Sequence, residues 1–175
     1  MPDRNVERLL RNTNVPVANN GDRRLDLIVT GLQVHHGKPL FCDVTVVSPI
    51  SMSGCARSGT SNSGGGLLEK AYRDNNKTYP EVVSCEFAEL YALGSEVFGR
   101  WSTEVCDLVP KMASKKASYL PENMRLGVQQ MYVKRWFGML GIALQKAVNF
   151  QAITDTGADL ITTFCEPLPY VSDLM

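Results

Sequence analysis

The chain is short of several things, and each shortage excludes something. No run of about 18 apolar residues occurs, so nothing reads as a transmembrane helix and no membrane partner is expected. The opening Met1-Pro2-Asp3-Arg4-Asn5 leads into polar sequence rather than an apolar signal core. Net charge is missing as well. The 18 Lys and Arg balance the 18 Asp and Glu, so a nucleic-acid partner would have to be met by a local patch. The five cysteines (Cys42, Cys55, Cys85, Cys106, Cys165) are odd in number, scattered, and form no CxxC pair. They read as reduced thiols in an intracellular protein, not as a disulfide framework or a zinc site. A P-loop, a GxSxG elbow and an HExxH helix are all absent. That argues against nucleotide hydrolysis through a P-loop, α/β-hydrolase chemistry and a zincin.

What the chain does have is a pair of aspartates in an unlikely setting. Asp26 lies in Leu25-Asp26-Leu27-Ile28-Val29, and Asp43 in Phe41-Cys42-Asp43-Val44-Thr45-Val46-Val47. A carboxylate inside a β-branched, apolar run is costly to bury unless it is paired or holds a metal. Strand side chains alternate faces, so an antiparallel pair joined by an even-length connection turns both aspartates to one face. A register centred on Val34-His35 sets them directly opposite each other. One centred on His36-Gly37 keeps the face but slides them four positions apart, and an odd connection separates them. Leu25, Leu27, Val29, Cys42, Val44 and Val46 then form a uniformly apolar face, expected to be the core side, with the aspartates on the wet side. Two carboxylates on one sheet face suit Mg²⁺ or Mn²⁺, hard ions that prefer oxygen ligands and keep waters for chemistry. The plainer reading is a pair of strand-end carboxylates matched to Arg23 or Arg24 or left in solvent.

Around this hairpin the pattern predicts one α/β domain over residues 1–153, a small mixed sheet flanked by helices with a C-terminal helical extension. Asp3 to Arg11 has the spacing of a short helix, and residues 48–66 read as a flexible Gly/Ser-rich loop. Leu67 to Asn76 has helical spacing, and Pro80 stops it. Glu81 to Gly94 suits either a strand or a helix. Ser102 caps a helix to about Ser118 that Pro110 is expected to kink or split. Pro121 opens a long helix to about Ala152, whose apolar face is expected to hold Leu126, Trp136, Leu140, Ala143, Leu144 and Ala147. Residues 154–175 are weakly patterned, with Pro167 and Pro169, and read as a tail.

Lys70 and Lys77 are the cations placed to complete an aspartate site, since a lysine near a metal orients water and steadies a developing phosphate charge. An exposed helix face is the competing reading for both. Lys38, Arg57 and Arg73 could supply the local patch that a nucleic-acid backbone needs.

Taken together, RLDLIV, FCDVTVVSP, LLEKAYRDNNKTYPEV and SEVFGRWS resemble a PD-(D/E)XK nuclease-like domain. More narrowly, they are similar to the restriction-enzyme-like endonuclease of non-LTR retrotransposon polyproteins. The resemblance runs from about Arg23 to Trp101. It implies a restriction-endonuclease-like mixed sheet flanked by helices, a divalent metal, DNA as partner, single-strand cleavage and a nuclear location. Asp26 matches the aspartate of the PD motif, and Asp43 the acid that opens (D/E)XK. Leu25 stands where the family has proline, and Thr45 where it has lysine. In the retrotransposon branch that lysine moves to the following helix, just before a tyrosine. Lys77, ahead of Tyr79, is the nearest match, with Lys70 second. The expected function is therefore a Mg²⁺-dependent DNA endonuclease. The alternative is an inactive remnant of the same fold serving as a nucleic-acid-binding or scaffold module.

Overall fold

The computed structural model describes residues 23–58, 60 and 64–155. The segment Asp3 to Arg11, expected to be helical, lies outside them, as does the tail from residue 156 onward. Three strands form one mixed sheet in the order β1 (Leu27–Val29), β2 (Leu40–Val47), β3 (Glu89–Glu96). The central strand β2 is antiparallel to β1 and parallel to β3. Its run of Phe41, Val44, Thr45, Val46 and Val47 is what a pleated surface favours. The parallel return to β3 is made through α1 (Gly66–Thr78) and the single turn α2 (Pro80–Val83). α3 (Thr103–Ala117) and α4 (Glu122–Asp155) follow as a helical hairpin. The ambiguous segment after Glu81 thus divides: one helical turn first, then a strand.

Both faces of the sheet are covered, which corrects the expectation of one core face and one wet face. On one side, Leu25, Phe41, Tyr79, Val82, Cys85 and Ala88 pack together. On the other, Val34, Leu40, Cys42 and Tyr91 pack against Leu108 of α3. Leu25, Leu40, Val82 and Cys42 are the largest side chains fully removed from water, and a leucine so buried contributes about 2 kcal/mol. The chain bends at Asp26, so the alternation breaks there and Leu25 joins the Phe41 side rather than the Cys42 side. On the Cys42 face the helical cover ends early. Leu27, Val44 and Val46 are 45, 50 and 46 % exposed, though their alternation reads as core.

Between β1 and β2 the chain makes a tight turn at His35–Gly37, with three successive residues in the left-handed region (φ 53°, 59° and 79°). For the two histidines this costs about 1–2 kcal/mol each. The Tyr91 hydroxyl bonds the His35 ring, their rings meet edge to face at 5.3 Å, and the Lys38 amide donates to the His35 carbonyl.

Helix boundaries follow local chemistry. α1 starts after Gly65, which holds a left-handed φ of 92°, and stops at Tyr79 because Pro80 bars that residue from helical backbone. The Ser102 hydroxyl accepts the Val105 amide as N-cap and donates to the Ala92 carbonyl, fastening α3 to β3. Pro110 neither splits nor ends α3, which runs unbroken from Thr103 to Ala117. α4 has 34 residues against the 15 of α3, so α3 can cover less than half of its length. Trp101, just ahead of α3, meets Phe137 of α4, and Leu144 is the one buried side chain described on α4. Leu126, expected on the apolar face, is 67 % exposed, and Ala147 is exposed too.

Candidate functional site

The register of the antiparallel pair bears on the first question about the aspartates. Leu27 pairs with Cys42, Ile28 with Phe41 and Val29 with Leu40. This is the register centred on Val34-His35, but the pairing ends at Leu27, and Asp26 lies just beyond it at the bend where the alternation breaks. The connection is a ten-residue excursion through the His35–Gly37 turn (residues 30–39) rather than a two-residue hairpin, but its even length keeps Leu27 to Val29 in phase with β2.

Asp26 is exposed at the bend, and its Oδ2 accepts the Val44 amide at 2.8 Å. The carboxylate therefore rests on the peptide that follows Asp43. Asp43 is half-buried. Its Oδ2 accepts the Thr45 hydroxyl at 3.3 Å, and its Oδ1 lies 3.4 Å from the Tyr79 hydroxyl. Tyr79 also reaches the Arg24 carbonyl at 2.9 Å, so its one proton is shared between the start of β1 and the middle of β2. Burial, then the charge of Asp43 and the hydrogen bond to it, then Asp26, push the Tyr79 phenol up to about 12, against a smaller opposing effect of Arg23. Both carboxylates thus act on a single hydroxyl.

Behind Tyr79 sits an ion pair. Arg23 binds the Thr78 carbonyl and Glu81, whose side chain is 2 % exposed. The second carboxylate oxygen of Glu81 has no hydrogen-bond partner among the described residues, and the same holds for the Asn75 amide nitrogen. Asn75 lies one helical turn before Tyr79 on the inward side of α1.

Lys70 and Lys77 are both exposed. They stand on the side of α1 opposite the buried Leu68, about half a turn away. Neither hydrogen-bonds or pairs with Asp26 or Asp43 among the described residues. What the end of α1 delivers to Asp43 is Tyr79. The three basic residues expected to form a patch sit on separate elements. Lys38 pairs with Glu89 at 3.3 Å, Arg73 approaches Glu69 at 3.9 Å, and Arg57 is exposed in the loop after β2. A cavity of about 200 Å³ lies elsewhere, where the starts of α1 and α3 meet Arg100 and Trp101, and none of the aspartate-site residues lines it.

For a metal, the donors present are two carboxylates, with no group of three or more His, Cys, Asp or Glu among the described residues. Two carboxylates are thin for Ca²⁺ but sufficient for Mg²⁺, which usually takes one or two plus waters or phosphate oxygens. The half-exposed position of the pair leaves room for that outer shell. Arg23, read from the sequence only as a possible partner for the aspartates, pairs with Glu81, and neither Tyr79 nor Glu81 is singled out by the sequence as part of the site. The one available signal was the tyrosine held between the end of α1 and Pro80.

No family model, curated protein or solved structure matches the chain. Among the described residues, no helix is long and apolar enough to cross a membrane.

Proposed function

We propose that the chain is a divalent-metal-dependent DNA endonuclease domain of restriction-endonuclease-like, retrotransposon-derived type. The observation that carries the reading is the Asp26 carboxylate hydrogen-bonded to the amide of Val44, the residue next to Asp43. Those two residues would hold Mg²⁺ or Mn²⁺, which when bound supplies Lewis-acid stabilisation of a phosphoryl group and a more acidic water. Tyr79 fixes the Asp43 carboxylate through its hydroxyl, and the Val44 amide orients the Asp26 carboxylate. The mixed sheet flanked by helices is also what the resemblance implies.

Supercoiled plasmid incubated with the protein and Mg²⁺ or Mn²⁺ tests the proposal. Nicking that disappears in Asp26→Asn and in Asp43→Asn supports it. Nicking that survives both substitutions, or no nicking with either metal, overturns it.

A second reading has its own observation. Thr45 occupies the motif-lysine position beside Asp43, and Lys70 and Lys77 face solvent. A remnant that keeps the fold as a nucleic-acid-binding or scaffold module would carry this arrangement. It predicts no nicking and no thermal stabilisation by Mg²⁺ or Mn²⁺.

A further inference from the structure

α4 outruns α3 and carries a second face. On a helix of about 3.6 residues per turn, Met124, Met131, Met139 and Ile142 fall within an arc of roughly 80°. That arc points away from the buried Leu144. Met124, Met131 and Ile142 are 50, 51 and 57 % exposed. The exposed Arg135 and Lys146 lie inside the same arc, and Tyr132 and Trp136 stack at its border with ring centroids 5.3 Å apart. Between Glu122 and Asp155 the helix holds four cations, Arg125, Lys134, Arg135 and Lys146, and no carboxylate. A Cβ added at Gly138, beside the stripe, would meet nothing within 4 Å.

We infer that this stripe is a docking seam for an acidic amphipathic helix of another protein. Apolar side chains at spacings of seven and eleven residues match a second helix laid along α4. Flexible methionines adapt to such a partner. The acid-free sequence sets the partner's charge, because Arg135 and Lys146 sit within the seam and need carboxylates across from them. The same seam on a second copy of this chain brings the same cations and no compensating acid. Duplex DNA would satisfy the cations but leave the methionines and Ile142 in water. A bilayer favours cations segregated from the apolar arc, whereas here they interrupt it.

The probe is a fluorescently labelled synthetic peptide of Leu- and Glu-bearing heptads, titrated into the full chain and read by anisotropy. Saturable one-to-one binding is expected. It should weaken at least tenfold in Met131→Glu and in Ile142→Glu, which alter exposed positions and should leave the circular dichroism and melting temperature unchanged. The double variant Arg135→Glu, Lys146→Glu should lose the acidic peptide and gain a Leu/Lys counterpart. Absence of saturable binding by the full chain overturns the inference, as does binding indifferent to these substitutions. So does a sedimenting dimer that Ile142→Glu dissolves, which assigns the seam to a second copy. Preference for anionic vesicles or duplex DNA, abolished by the same variants, overturns it as well.

Discussion

The carboxylate of Asp26 accepts the backbone amide of Val44 at 2.8 Å, tying the head of β1 to the peptide beside Asp43. That bond has a consequence for mutagenesis. Asparagine at position 26 keeps an oxygen acceptor for the amide while removing the charge, so Asp26→Asn separates metal binding from folding better than alanine does. At a Mg²⁺ or Mn²⁺ concentration a hundredfold above its dissociation constant, the native chain is expected to gain about 2.7 kcal/mol. Thermal melts with and without metal should show that gain in the native chain and lose it in Asp26→Asn and Asp43→Asn. A gain that persists in both variants would remove the two aspartates from the metal site.

Tyr79 makes the fold sensitive to alkali. The folded chain holds the phenolic proton more tightly than the unfolded chain, whose phenol keeps its ordinary value near 10. The associated stability is therefore complete below pH 10 and is lost as pH climbs from about 10 to about 12. Tyr79→Phe should cost about 1 kcal/mol at neutral pH through the hydrogen bonds to Arg24 and Asp43. It should also flatten the alkaline limb relative to the native chain. Denaturant melts of both proteins across that range check the sign, and identical alkaline limbs would refute it.

Glu81→Gln is expected to destabilise by about 3 kcal/mol, since it removes the charge that balances the largely buried Arg23 beside Tyr79. Urea midpoints at unchanged slope measure this. A loss well under 1 kcal/mol would mean that Arg23 finds its compensation elsewhere.

Two substitutions should stabilise. Alanine at Gly141, mid-helix in α4 with open space where a Cβ would go, is worth about 1 kcal/mol. Pro110→Ala restores a donor in the interior of the unbroken α3, a position where proline costs about 3 kcal/mol. The Pro110 gain should be the larger of the two in thermal melts, and a loss in either variant contradicts the packing described above.

Much of this could be read in the residues. Serine ahead of Thr103-Glu104 and proline after Tyr79 mark helix ends by local chemistry alone, and the structure has them at Ser102 and Tyr79. The register of Leu27 to Val29 on β2 is one of the two even registers that parity allows, while the bend leaves Asp26 outside it. The fate of the apolar face did not follow. Leu25, Leu27, Val44 and Val46 have the same character, yet a bend at Asp26 and the reach of α3 decide which of them meet water. The lysines failed for a related reason: helical spacing relates Lys70 to Lys77 but does not say which side of α1 lies on the sheet. Tyr79 does, because it stands at the point where the helix ends over β2.

The parallel pairing of β2 with β3 carries a cost in time. Leu40 meets Glu89, so this pairing closes a loop of about fifty residues, whereas α3 and α4 are joined by a short turn and need only local contacts. The helical hairpin is therefore expected to gain amide protection first in pulse-labelled refolding, with β2 and β3 following together. The β1–β2 pair closes over only ten residues, so on that order the Asp26 carboxylate meets the Val44 amide before the crossover to β3 brings the Tyr79 hydroxyl to Asp43.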